Sequence, residues 1–317
     1  MEATEPERSF PESLRVGDRA RVAAFPKGER HCHSILAASL GSVAAWAGAP
    51  IEAPPSRMEG LPGMSAYARR CLYPHIRNRR GFEFTAVTAV REAVADGVTV
   101  LEMSLDADLA ALYESGAAGF IAFARRLAEE ARPDIDFRPE IGLSRRADPR
   151  PQIAVAEECI SSGSFGSIDL YGLEDAQEPQ RYGEVFRRAR SAGMKLKAHV
   201  GEFCGPELVE ETWRLLDLDE IQHGIAVARS AGLMDDLRGA GVRLNVCPGS
   251  NVALMVADTL PRHPIRAMVR AGLRVTINSD DKTVFHRSVS EEYLALFQAG
   301  TLGVDELEEI RRESLRD

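Results

Sequence analysis

The chain has 317 residues, 44% hydrophobic and 27% charged, enough apolar material for the buried core of one large domain or two smaller ones. Its formal net charge of -9 argues against nucleic-acid phosphates or an anionic membrane as the main partner and favours small-molecule chemistry. No apolar run approaches the ~18 residues needed to span a bilayer. The acidic start Met1-Glu2-Ala3-Thr4-Glu5 also lacks the h-region of a signal peptide, so a cytoplasmic protein is expected. The five cysteines, Cys32, Cys71, Cys159, Cys204 and Cys247, form no Cys-x-x-Cys pair and read as reduced thiols rather than a disulfide framework or a thiolate zinc site.

Residues 1–20 are charged and contain proline without apolar periodicity, which predicts a flexible N-terminal arm and leaves 21–317 as a single barrel domain. An apolar run at 22–25 opens the first strand unit, and after Pro26-Lys27-Gly28 the segment Glu29-Arg30-His31-Cys32-His33 reads as a strand end. Residues two apart in a strand point the same way, so His31 and His33 can face one ligand together. A helix is expected over 35–46 and a loop over 50–62. Helical spacing over 84–96 ends at Gly97, a natural cap, and 98–103 follows as a buried strand. Residues 106–132 form a long helical region interrupted near Gly116 and Gly119, before a strand at 135–143. Helices at 154–162, 182–192, 206–216, 229–240 and 264–271 then alternate with strands at 167–171, 196–200, 220–223, 242–246 and 273–278. Eight candidate strands, each followed by helix or loop, are the signature of an α/β fold of the (β/α)8 TIM-barrel kind. An open doubly wound sheet is the alternative, but no Gly-x-Gly-x-x-Gly follows the first strand.

A barrel of this kind carries its site at the C-terminal ends of the strands. Those positions hold His31 and His33 on the first strand, His199 on the fifth, His223 on the sixth, and Asp280 with Asp281 after the eighth, so four of the seven histidines gather there. Three imidazoles and a carboxylate are what a catalytic zinc needs, with one position left for water. Iron and manganese accept the same donors. Each residue has a plainer reading: a solvated His-x-His, a helix N-cap at Asp280-Asp281, a turn histidine before Gly224. Coincidence across independent strands favours the metal. His75, His263 and His286 lie away from strand ends and read as surface or structural residues.

The ordered runs His31-Cys32-His33, His199-Val200-Gly201-Glu202, His223-Gly224, Cys247-Pro248-Gly249-Ser250-Asn251, His263-Pro264 and Asn278-Ser279-Asp280-Asp281 resemble the motifs of the adenosine deaminase family within the amidohydrolase superfamily, from about residue 26 onwards. The resemblance implies that His31, His33, His199 and Asp280 bind one divalent metal, zinc first among the candidates. It makes Glu202 the proton carrier for the ring nitrogen beside the attacked carbon. His223 would hold and help deprotonate the attacking water, while Asp281 positions that water and accepts a hydrogen bond from the ring. The backbone N–H of Gly172 would face the purine. The implied reaction replaces an aromatic ring amine by oxygen, with release of ammonia, on an adenosine- or adenine-like substrate. Such chemistry needs a strong nucleophile at neutral pH and a proton on the ring nitrogen, which a metal-activated water and a buried glutamic acid provide.

The departures from the family pattern fall on the substrate side. Ser34, Ile35 and Leu36 follow His33 where family members usually carry Leu, an acid that can hold a sugar hydroxyl, and Gly. The family's Tyr-x-Glu-x-Arg is reduced to Val100-Leu101-Glu102-Met103-Ser104, Lys282 replaces a common Pro, and Gln222 a usual Gly. An altered pocket, for a free base or an unusual nucleoside, is therefore expected. Other amidohydrolase-type C–N hydrolysis and an inactive ligand-binding homologue are the competing readings. The complete ligand set and the placing of Glu202 three residues after His199 favour ring deamination.

Overall fold

Eight parallel strands pair in chain order: β1 (Lys27–Glu29), β2 (Val98–Asp106), β3 (Asp136–Ser144), β4 (Ser167–Tyr171), β5 (Lys195–Val200), β6 (Glu220–His223), β7 (Arg243–Val246) and β8 (Arg274–Ile277). The computed structural model describes residues 9–317. Beyond the ends of β1 and β8 the sheet closes on itself. Cys32 bridges to Asp280, the Asp280 N–H donates to the His31 carbonyl at 3.2 Å, and the Arg30 N–H donates to Asn278 Oδ1 at 2.7 Å. The helices lie between successive strands, which makes the fold a (β/α)8 TIM barrel.

The strands are buried on both faces but not uniformly apolar. Ile168, Leu170, Leu196, Ala198, Ile221, Leu244, Val246, Val275 and Ile277 alternate with buried polar residues, among them Asp169, Lys197, His199, Gln222, Asn245 and Thr276. With a side-chain period of two, the apolar set packs outward on the helices and the polar set fills the barrel interior. The interior residues bond to one another across strands. Asn245 Nδ2 donates to Glu220 Oε2 at 2.8 Å and Gln222 Oε1 at 2.9 Å, and its Oδ1 accepts from Thr276 at 2.8 Å. One layer below the strand ends, Lys197 is fully buried against Glu102, Glu140 (2.8 Å) and Glu220 (3.6 Å). Arg30 pairs with Glu102 and Arg243 with Glu220 at 3.1 Å. Both guanidinium groups also donate to the Arg316 carbonyl, at 2.8 and 2.7 Å.

Strands β2 to β8 fall close to their expected ranges, and the helix Pro206–Leu216 matches its range. The start of the chain differs. The apolar run at 22–25 is no strand: Arg19–Ala23 is a helix capped by Asp18, and β1 consists of Lys27, Gly28 and Glu29. Nor do residues 9–20 form an arm. Phe10–Val16 is a helix, capped by the Ser9 side chain at 3.3 Å from Glu12 N and ended by Gly17 in the left-handed region. Phe10 and Leu14 are buried, the Phe10 ring 5.4 Å from that of Tyr293. A seven-residue helix with few apolar positions carries too little periodicity to be read from sequence. The rest of the expected arm, 1–8, lies outside the described residues. Among the described residues, no helix is long and apolar enough to cross a membrane, and all five cysteines are free thiols.

Candidate active site

The strand ends bring the expected ligands into two overlapping groups. Donor atoms of His31, His33 and His199 lie within 4.8 Å of one another, as do those of His31, His223, Cys247 and Asp280. His31 belongs to both, so the four expected ligands His31, His33, His199 and Asp280 meet around it. His33 Nε2 and His199 Nε2 face each other at 3.2 Å, His31 Nε2 lies 3.5 Å from Asp280 Oδ1, and His223 Nε2 lies 3.9 Å from Asp280 Oδ2.

The donor chemistry fits a divalent cation. His199 Nδ1 lies 3.0 Å from Asp169 Oδ2, which fixes its proton on Nδ1 and turns a bare Nε2 lone pair towards the cluster. Both ring nitrogens of buried His31 lack a hydrogen-bond partner. Burial, with the neighbouring His199 and His31, lowers the His33 pKa to about 3, and burial holds His199 well below the usual imidazole range, so both are neutral and able to ligate. Asp280 is driven the other way: against its burial, His31, 3.5 Å away, keeps it a carboxylate. Cys247 is near enough to ligate, but burial and the charges of Asp280 and Glu202 push its thiol far up. Nitrogen and carboxylate are therefore the ready donors. Two of the residues sit in strained backbone, His223 at φ 60° and Asp280 at φ 59°.

A second feature is a directed hydrogen-bond chain. The Ile265 N–H donates to His263 Nδ1 at 3.1 Å, so that nitrogen carries no proton and Nε2 does. His263 Nε2–H then donates to Asn251 Oδ1 at 3.2 Å, which orients the amide. Asn251 Nδ2 spends its two hydrogens on Glu202 Oε1 and His223 Nδ1, each at 3.2 Å. Two consequences follow. His223 is left with its proton on Nε2, facing Asp280, and any proton carried by Glu202 sits on Oε2. Burial, then the charges of Asp280 and Glu174, raise the Glu202 carboxyl well above its ordinary range. His263, expected as a surface or structural residue, is 2% exposed and sits at the origin of this chain. Its role depends on the turn of Pro248–Ala253 that presents Asn251, which no local pattern reveals.

Glu202 rides on a loop held by one carboxylate. Glu174 Oε2 accepts from Gly201 N at 2.7 Å and Cys204 N at 3.4 Å, and Oε1 accepts from Glu202 N and Phe203 N, both at 2.8 Å. Gly201 is required at the turn: its φ is 80°, and a Cβ there would lie 2.5 Å from Val209 Cγ2. The cluster opens into a cavity of about 120 Å³ lined by His33, His199, His223, Glu202, Asp280 and Asp281, with Gly172, Tyr171 and Asp106 on one wall and Ile35, Leu36, Leu61 and Met64 over it. Asp281 Oδ1 is buried there without a partner. All the expected site residues thus converge. Sequence reasoning missed Asp169, Glu174 and Asp106. The first had a legible signal, an acid inside the apolar strand run Ile168-Asp169-Leu170.

The family model described as Adenosine deaminase matches residues 73–317. A Treponema pallidum protein provisionally named adenosine/adenine deaminase is 31% identical over 277 residues, covering 87% of this chain and 93% of its own. A Rhodospirillum rubrum protein named adenine deaminase is 32% identical over 227 residues, covering 71% and 68%. Among solved structures, an amidohydrolase from Burkholderia ambifaria with bound Zn superposes with a TM-score of 0.78 at 23% identity, covering 99% of this chain and 88% of that one.

Proposed function

Since the chain belongs to the adenosine deaminase family, we propose that it is a metal-dependent hydrolase which replaces the exocyclic amine of an aminopurine by oxygen and releases ammonia, with the free base as its preferred substrate form. The observation that carries the reading is the convergence, in one small cavity, of a cluster able to hold a cation with the Glu202 side chain, whose carboxyl is raised by burial well above its ordinary range. His31, His33, His199 and Asp280 would hold the metal, zinc foremost. When bound, such an ion lowers the pKa of a water from ~15.7 towards ~7 and so supplies the nucleophile.

The chain's own residues do the rest. Glu202 donates its Oε2 proton to the ring nitrogen beside the attacked carbon, which lets that carbon become tetrahedral, and the carboxylate so formed takes the proton given up by the attacking oxygen and passes it to the amine, which leaves as ammonia. His223 offers an Nε2–H and orients the attacking water by donation, a narrower role than the base expected from the family resemblance. Burial, then the charges of Asp280 and Asp106, raise the Asp281 carboxyl well above its ordinary range, so its unpartnered Oδ1 can donate to a bare ring nitrogen, the reverse of the direction expected from the family resemblance. The Gly172 N–H, in left-handed backbone at φ 104°, meets the substrate from the wall. Ile35 and Leu36 offer no carboxylate to a sugar hydroxyl, which supports a base rather than a nucleoside.

Ammonia release from adenine by zinc-loaded protein tests the reading, and chelation should abolish it until metal is restored. Glu202→Gln keeps the shape of the side chain and removes its acid, and a loss of about 10²- to 10⁴-fold in kcat is expected. Equal turnover by Glu202→Gln, or none by the native protein on any aminopurine, would overturn it.

A further inference from the structure

Two residues lining the cavity have a buried side-chain oxygen with no hydrogen-bond partner among the described residues. Asp281 belongs to the metal-side cluster. Asp106 does not: it ends β2, beside Tyr171 and Gly172 on the neighbouring wall. The backbone is built around this carboxyl. A Cβ on Gly142, its register partner on β3, would lie 2.9 Å from Asp106 Oδ1 and 2.5 Å from Ser104 Oγ. Nearby Asp108 is satisfied, with Oδ2 2.7 Å from Arg77 Nη2. The Tyr171 hydroxyl is the polar neighbour this carboxyl shares, and Asp106 Oδ1 itself is left without a partner.

An aminopurine attacked at C6, with N1 at Glu202 and N7 towards Asp281, turns its N3–N9 edge away from the cluster. In a free base the imidazole ring carries an N–H, whereas in a nucleoside N9 is alkylated and offers none. A carboxylate oxygen buried on that wall is paired by the first and left unpaired by the second.

We propose that Asp106 is the specificity-determining residue of this site, accepting the ring N–H of an unsubstituted 6-aminopurine and so selecting free bases over N9-substituted ones. The proposal rests on the deaminase reading above. Burial and the charge of Asp108 raise the Asp106 carboxyl to about 8, so near neutrality it can also donate to a bare ring nitrogen and follow whichever tautomer binds.

The test compares adenine, 9-methyladenine and adenosine as substrates for native protein and for Asp106→Ala and Asp106→Asn, with ammonia release as readout. Native protein should favour adenine over 9-methyladenine by about 10- to 100-fold in kcat/KM, the scale of leaving one buried hydrogen-bonding group unpaired. In Asp106→Ala that ratio should fall to within about threefold, chiefly through loss on adenine. Calorimetric Kd values for the two bases on metal-free protein should show the same collapse, which frees the result from turnover and from metal loading. Asp106→Asn, nearly isosteric, covers the case in which Asp106→Ala fails to fold. Ammonia release whose adenine-to-9-methyladenine ratio is unchanged by either variant, or is already near one in the native protein, overturns the role of Asp106 alone. Ammonia from none of the three substrates overturns the deaminase reading, and this proposal with it.

Discussion

Asn251, His223 and His263 set the hydrogen bonding of Glu202, the proposed proton carrier, before any substrate arrives, because the Ile265 N–H fixes a chain of donors that ends on Glu202 Oε1. His263→Ala releases the Asn251 amide to turn over, and kcat should fall about 10- to 100-fold with KM and metal content little changed. Asn251→Asp sets a carboxylate against two acceptors and should cost more; steady-state kinetics with metal analysis would check both. The pH profile carries a separate sign. Burial, Asp280 and Glu174 raise the Glu202 pKa, so its proton stays on through neutrality. The acid limb normally set by a glutamate near ~4.3 should be missing, and kcat should fall only as pH rises through the elevated value. A decline of kcat between pH 4 and 5 assignable to Glu202 would contradict this. His31, His33, His199 and Asp280 were legible in sequence because residue types able to hold a metal recur at strand ends, whereas the part proposed for Glu202 came with the family resemblance. Glu174 and the role of His263 were not, since each acts through a partner on another element, and Asp106 was not, since its open oxygen shows only once the strand ends surround a cavity.

At the level of elements, the loop after β5 is a substructure with its own anchor. Glu174 accepts all four N–H groups from Gly201 to Cys204, the arrangement that makes a carboxylate a strong clamp. Glu174→Gln keeps the volume, but its NH₂ faces two backbone donors, and only one oxygen remains to accept. A loss of about 10- to 100-fold in kcat is expected, with zinc content retained and a thermal midpoint lowered by a few degrees. Unchanged kinetics would show that the loop is held by its glycine turn alone. The same scale explains which elements could be read. Strands β4 to β8 are short runs in which apolar residues facing the helices mark the period. β1 has no such residues. Its Lys27 Nζ reaches the Asp96 carbonyl at 2.6 Å, and its Glu29 accepts from Ser279 N at 2.9 Å, so side-chain pairing takes the place of the pattern.

For the molecule as a whole, the polar interior ties stability to pH. Against burial, Lys197 and Arg30 hold Glu102 down at about 2, whereas Glu140 is raised to about 7 because burial outweighs its share of Lys197. Glu140 therefore works against the fold as pH rises from its ordinary range through 7. Lys197→Met leaves three buried carboxylates short of a cation and should cost about 3–5 kcal/mol at pH 8. Those carboxyls would then titrate higher in the fold than in the unfolded chain, so the deficit should shrink at pH 5; denaturant unfolding at the two pH values measures it. The barrel's closure has a further consequence. The seam between β1 and β8 rests on the Cys32–Asp280 bridge and the bonds of Arg30 and Asp280, and His31 and Asp280 stand on opposite lips of it. An ion held by both would fasten the first strand to the last, clasping a loop that contains nearly the whole barrel. Metal removal should then act as a mechanical release. The amides of Arg30 and Asp280 should exchange with deuterium faster while those of the β2–β3 ladder hold, and protease cutting should begin near residue 27 or 280.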